Sequence, residues 1–300
     1  MQKQLSNLLI VTIIIFAAFS SLECKKVGTS EPYPVVLMHG IGADSSTMDL
    51  VVEWIHKYVG DSVYVKNIEI GNGYWNSIMF EMDKMVDDFS QQVINDPILR
   101  ASEKINVIGY SQGSLVTRGY IEKYNTIPVH NYITWSGPHM GIFGIPVLEY
   151  KWLAEALQKA PYVPFLQKTF TFAQYWKDVF KYDDYLKECA FLPYLNNERA
   201  VKNDTYRKNI MSLNQFVLVM SNKDTTIVPK ESSWFSFWDD KMKKIIPYNT
   251  TQAYKEDWIG LRTLNENGRL QFRSCDCHHP DYPKENCLYN FIDNTLPFLK

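Results

Sequence analysis

The sequence predicts an α/β fold: a mostly parallel sheet with helices on both faces and an inserted helical cap. Two observations carry this. Short apolar runs alternate with segments whose apolar residues recur every three or four positions, the rhythm of βαβ units. One of those runs ends in Gly109-Tyr110-Ser111-Gln112-Gly113, a G-x-S-x-G turn set between a strand pattern and a helix pattern.

The elements follow in chain order. Pro34 to Met38 is a continuous apolar run, as a strand buried on both faces requires, and it ends in His39-Gly40-Ile41-Gly42. Met48, Val51, Val52, Ile55 and Val59 are helically spaced, and Val63 to Ile68 alternates as a strand. Met82, Met85, Phe89 and Val93 mark an amphipathic helix with its methionines in the core. Ile105–Tyr110 is a strand, Leu115–Tyr124 a helix and Val129–Trp135 a strand. After Gly144 the rhythm breaks. Residues from about 146 to 200 are rich in aromatics and leucine without a clear strand, and they are expected to form the cap. The sheet resumes at Phe216–Met220 and near Leu270–Arg273, and a last helix and its exit run from about Glu285 to Phe298.

Composition bounds the function. The chain has 300 residues, 46% of them hydrophobic and 14% aromatic, with a formal net charge of -2. That charge gives no pull toward nucleic acid or an anionic membrane surface. Residues 1–23 read as a signal peptide: Lys3 precedes the apolar run Leu8–Phe19, which is short for a membrane span, and small residues follow. The alternative is an uncleaved anchor. Residues 24–300 are then one domain with no membrane span, in the secretory pathway, lysosomal or secreted. Five cysteines and the sequons at Asn203 and Asn249 agree with that route. Cys275 or Cys277 is expected to pair with Cys287. The Cys275-Asp-Cys277-His278-His279 cluster lacks the paired spacing of a structural zinc site, so no metal is expected.

The G-x-S-x-G turn predicts chemistry. A serine on a sharp strand-to-helix turn needs small neighbours, and its hydroxyl stands beside N–H groups at the start of a helix. That arrangement is the nucleophile elbow of an α/β-hydrolase, with Ser111 as nucleophile. A serine needs a base, and in this fold the order is Ser, then Asp or Glu, then His. Only His278 and His279 lie late enough, after the Leu270–Arg273 strand. The proline at 280 restricts the residue before it, which favours His279, with His278 as second choice. Asp224, after the Phe216–Met220 strand, is the expected acid. The backbone N–H groups of Ile41 and Gln112 are the expected oxyanion donors, and His39 is expected to brace the loop. Trp152, Leu157, Phe165 and Phe170 are candidates for an acyl-binding groove in the cap. Acyl transfer of this kind needs no cofactor.

The chain is similar to the palmitoyl-protein thioesterase family in VVLMHGIGADSS, INVIGYSQGSLVTR, GPHMGIFGIP, YWKD, FLPYLNNER, YRKNIMSLNQFVLV, ESSWFSFW and LPFLK. The resemblance implies removal of long-chain fatty acyl groups from cysteine thioesters in lysosomes, with fatty-acylated proteins, peptides or acyl thioesters as substrates. It implies Ser111 as nucleophile, Asp224 as acid and a histidine in CDCHHP. The chain departs from the family pattern at Ser114, where a glycine often follows SQG, at Lys177 in YWKD, and in the cysteine-rich loop before the histidine. A carboxyl-ester hydrolase or lipase on the same scaffold, or an inactive lipid-binding relative, are the other readings of the same residues.

Overall fold

The computed structural model describes residues 32–144, 155 and 157–300. The signal-peptide reading, Cys24 and Trp152 lie outside them. Six strands form one sheet: β1 (Val35–Met38), β2 (Val65–Ile68), β3 (Ile105–Tyr110), β4 (Val129–Trp135), β5 (Gln215–Ser221) and β6 (Leu270–Cys275). The spatial order is β2-β1-β3-β4-β5-β6 and every pairing is parallel. β1 therefore lies inside the sheet, and the chain reverses its direction of travel across the sheet after β2. Ligand sites in open parallel sheets form outside the carboxyl ends of the strands near such a reversal.

Both faces are covered because the strands are apolar on both sides. In β1, Val36 and Met38 join one core while Val35 and Leu37 join the other. β5 divides in the same way, Phe216 and Leu218 from Val217 and Val219. The first core is roofed by helix α1 (Met82–Asn95), through Met82, Met85, Val86, Phe89 and Val93. The second is closed by Asp49–Tyr58 and Leu288–Asn294, with Trp54 against Phe291 at 5.6 Å between ring centroids. Helix α2 (Gln112–Lys123) begins three residues before the apolar pattern suggests, because its first turn is the elbow itself. Eleven of its twelve residues, Gln112 to Glu122, are buried, so it carries little amphipathic signature.

The cap segment, as far as it is described, consists of the short helices Pro164–Thr169, Tyr182–Glu188 and Leu192–Leu195 with 3-10 turns between them. A parallel bridge between Ile142 and Trp176 ties it to the loop after β4. The sequence reading did not include the two-stranded ribbon of Phe237–Trp238 and Ile245–Ile246. Two residues per strand are too few to show a period.

Candidate active site

Ser111 stands between β3 and α2 with φ 54° and ψ -127°, a conformation unfavourable for a residue with a Cβ. Close approach on both sides explains the glycines. A Cβ on Gly113 would sit 2.3 Å from the His39 carbonyl oxygen, and one on Gly109 would sit 2.5 Å from Thr117 Oγ1. The helix start is thus pressed onto the end of β1, and only a glycine at 113 permits it. The Ser111 N–H donates to the Trp135 carbonyl at 2.8 Å, which ties the turn to the neighbouring strand. Ser114, at the departure from the family pattern, donates its hydroxyl to the Gly109 carbonyl at 2.8 Å.

His279 follows β6 and is buried, with Nε2 2.9 Å from Ser111 Oγ and Nδ1 2.8 Å from Asp224 Oδ2. The adjacent His278 is exposed. His278 is extended (φ -67°, ψ 151°) and His279 opens a 3-10 turn, so the two side chains diverge and one faces Ser111 while the other faces solvent. Tyr110 donates its hydroxyl to the His279 carbonyl at 2.7 Å and lays its ring 5.4 Å from the imidazole. Two contacts therefore hold the histidine besides its carboxylate. Asp224 Oδ1 accepts the N–H groups of Thr226 and Ile227 at 2.8 and 3.0 Å. Burial alone would raise the Asp224 carboxyl. The hydrogen bond and charge of His279, the Ile227 N–H and the Ser136 hydroxyl outweigh it and hold the carboxyl below its ordinary value.

A pocket of about 60 Å³ opens beside Ser111, lined by Ile41, Ile142, Leu157, Phe172, Tyr175, Trp176, Thr226 and Ile227. Of the four groove candidates, Leu157 lines it. Phe165 is 66% exposed, Phe170 packs on Phe172 at 5.5 Å, and neither lines this pocket; Trp152 lies outside the described residues. The lining aromatics Tyr175 and Trp176 lacked a legible signal, since an aromatic-rich segment does not say which rings face inward. A larger pocket, about 310 Å³, is lined by Met140, Lys177, Tyr182, Phe237, Trp238 and Trp258 among others and does not include Ser111. Chemistry outranks size here, and the smaller pocket is the one that includes Ser111. Lys177, the other departure, is buried and paired with Glu198, which also accepts from the Tyr185 hydroxyl.

The sequence reading missed Ser77. Its hydroxyl accepts the Gly42 N–H at 2.8 Å, and its carbonyl accepts the Gln112 side-chain amide at 2.7 Å. It joins the loop after β1 to the elbow, and Tyr175 donates to Gln112 Oε1 at 3.0 Å from the other side. Of the three C-terminal cysteines, Cys277 and Cys287 are bonded, while Cys275 is a buried free thiol. No cluster of metal-ligating side chains occurs among the described residues. The sequon residues Asn203 and Asn249 are both exposed, and Asn203 also caps the helix Asp204–Met211. No helix among the described residues is long and apolar enough to cross a membrane.

Comparison with known proteins adds the context of relatives. The family model described as palmitoyl protein thioesterase matches residues 34–279. The chain is 44% identical over 269 residues to palmitoyl-protein thioesterase 3 of Dictyostelium discoideum, covering 89% of this chain and 92% of that protein. It is 34% identical over 293 residues to palmitoyl-protein thioesterase 1 of Caenorhabditis elegans, covering 93% and 96%. It is 31% identical over 280 residues to lysosomal thioesterase PPT2-B of Xenopus laevis, covering 88% and 92%. With an elbow serine, a facing histidine and carboxylate, and a match that spans the sheet from β1 to the loop after β6, the chain belongs to the palmitoyl protein thioesterase family.

Proposed function

We propose that this protein is a serine thioesterase that removes long-chain fatty acyl groups from cysteine thioesters of proteins or peptides through an acyl-enzyme. The observation that carries the proposal is the unbroken line from Asp224 through His279 to Ser111 beside an apolar pocket. His279 Nε2 takes the Ser111 proton as Oγ attacks the thioester carbonyl. Asp224 accepts from Nδ1, fixes the tautomer and stabilises the imidazolium. The tetrahedral oxygen is met by the N–H groups of Ile41 and Gln112, the latter at the first position of α2, where backbone donors lack helical partners. The carbon–sulfur bond then breaks, the thiol takes the proton from His279, and water repeats the sequence in reverse on the Ser111 ester. A thiol with a reference pKa of about 8.5 is a good leaving group, so little acid assistance is demanded. The names of the relatives support a lysosomal address, which agrees with the secretory reading of the N-terminus.

The pocket is small for a long chain. About 60 Å³ is room for a few water-sized spheres, so a palmitoyl tail must extend past it. The test is turnover of an acyl thioester series from hexanoyl to palmitoyl, with the matched oxygen esters and with Ser111→Ala as control. Catalytic efficiency should rise with length at up to about 0.8 kcal/mol per buried methylene until the groove is filled. Thioesters should be preferred, and Ser111→Ala should be folded and inactive. A flat length profile would reject the groove, faster oxygen-ester turnover would make the protein a carboxylesterase, and an active alanine variant would reject the mechanism.

A further inference from the structure

His39 is wholly buried at the end of β1. Its Nδ1 lies 2.9 Å from the carbonyl oxygen of the next residue, Gly40. That carbonyl shares a peptide plane with the Ile41 N–H, and in a trans peptide the two point in opposite directions. Whatever holds the Gly40 oxygen therefore aims the Ile41 hydrogen. Gly40 cannot be held by a side chain of its own, because a Cβ there would sit 3.0 Å from the Cβ of Ser111. On the other side of Ile41, the Gly42 N–H is pinned by Ser77 Oγ at 2.8 Å.

The ring itself is anchored from behind. His39 Nε2 faces Glu69 Oε1 at 3.3 Å. Both atoms are buried and neither has a hydrogen-bond partner among the described residues, so each is the other's polar contact. Glu69 is in turn fixed: Oε2 accepts the Ser45 N–H at 2.5 Å, and its carbonyl accepts the Gln92 side-chain amide at 2.6 Å. We propose that His39, anchored by Glu69, is a positioning residue that locks the Gly40–Ile41 peptide with its N–H turned toward the thioester oxygen. The inference rests on the reading of Ile41 as an oxyanion donor.

The hydrogen logic makes the proposal specific. The Gly40 carbonyl can only accept, so it needs a hydrogen on Nδ1, and a carboxylate oxygen at 69 can likewise only accept. A glutamine at 69 could donate its amide to Nε2, hold the neutral ring in the Nδ1–H form, and still accept from Ser45. An amide at position 39 could place its nitrogen where Nδ1 is. Conservative variants should therefore rescue what apolar ones lose.

The experiment is steady-state kinetics on a palmitoyl thioester, together with inhibition by a long-chain alkyl trifluoromethyl ketone, whose adduct with Ser111 carries the same oxyanion. His39→Leu should lower kcat by about 10²-fold with KM within about twofold, and raise the inhibition constant by a similar factor. His39→Asn should recover at least about tenfold of that loss. Glu69→Leu should lower kcat by roughly tenfold, and Glu69→Gln should stay within about threefold of wild type. If His39→Leu does not fold, the Glu69 pair carries the test. Equal losses in the apolar and conservative variants, or a fall in kcat with an unchanged inhibition constant, would overturn the positioning role. Replacement of the Gly40–Ile41 amide by an ester, which deletes the N–H, separates the two readings. Wild-type kcat in the ester protein would remove Ile41 as a donor, and the proposal with it. A large loss there beside an active His39→Leu would leave Ile41 in place and reject the brace alone.

Discussion

Asp224 and Glu122 are both buried carboxyls, and both face a nitrogen partner, yet the protein treats them in opposite ways. Asp224 is 2.8 Å from His279 and accepts two backbone N–H groups besides. Glu122, in the last turns of α2, has Arg118 Nε at 3.3 Å, and neither of its oxygens has a hydrogen bond among the described residues. The Arg118 guanidinium spends its other nitrogens on Asn196 Oδ1 at 2.5 Å and on His139, and lies over the Phe235 ring. The consequence is a divergence in proton affinity. The Asp224 carboxyl is held low, whereas burial pushes Glu122 up to about 8 against the pull of Arg118. Hydrogen bonds to the charged form decide the outcome more than depth or the presence of a cation. Hydrogen bonds favour the charged form of the carboxyl at the candidate site, whereas burial opposes charge on the one in α2.

The sharpest break of this comparison is to replace each acid by its amide. Asp224→Asn should lower kcat by about 10³ to 10⁴-fold with the fold retained, because the amide favours the wrong tautomer of His279. Glu122→Gln should leave kcat within about twofold, since Glu122 has no contact with the reacting groups. Similar losses in both would mean that Asp224 acts through stability alone. The adjacent histidines sharpen the same point: His279→Ala should cost at least about 10²-fold in kcat, and His278→Ala much less. The reverse ranking would assign the base to His278.

A smaller effect concerns stability. Arg118→Met removes the cation and leaves Asn196 Oδ1 without its donor, so unfolding titrations should show a loss of about 3 kcal/mol at alkaline pH. The loss should shrink in acid, where Glu122 carries a proton and no longer needs a cation. A pH-independent loss would show that Arg118 contributes through packing on Phe235 instead.

The same pair also shapes the pH profile of the wild type. The native Glu122 carboxyl holds its proton up to about 8, against 4.5 in the unfolded chain. Between those values the native state binds more protons, so stability falls as pH rises and levels off above about 8. Asp224 has the opposite sign: its folded value lies below 3.8, so its contribution is present above that and is lost as pH falls through the folded value. Of these two groups, Asp224 thus disfavours strong acid and Glu122 disfavours alkaline pH. The melting temperature of the wild type should decline from about pH 5 to 8, and that of Glu122→Gln should lack this decline. An unchanged slope would assign the decline to another group.

What the sequence determined by itself is local. Strand and helix periods depend on which neighbours along the chain are apolar, so β3 and β4 could be read to the residue, Ile105–Tyr110 and Val129–Trp135. The glycines at 109 and 113 announce a tight approach wherever the rest of the chain goes. The order Ser, Asp, His follows from the order of strands in the fold. The tertiary structure decided which of several chemically equivalent candidates meet. It turned His279 rather than His278 toward Ser111, and it joined Cys277 rather than Cys275 to Cys287. It set Phe172 and Trp176 into the pocket and left Phe165 in solvent. It also paired residues that no spacing links, His39 with Glu69 and Lys177 with Glu198. The reason is that a side chain's facing depends on the backbone around it, whereas its partner depends on how distant segments pack. Thirty residues separate His39 from Glu69 along the chain. They meet because β1 and β2 are adjacent, parallel and in register at their carboxyl ends, where Met38 lies opposite Ile68.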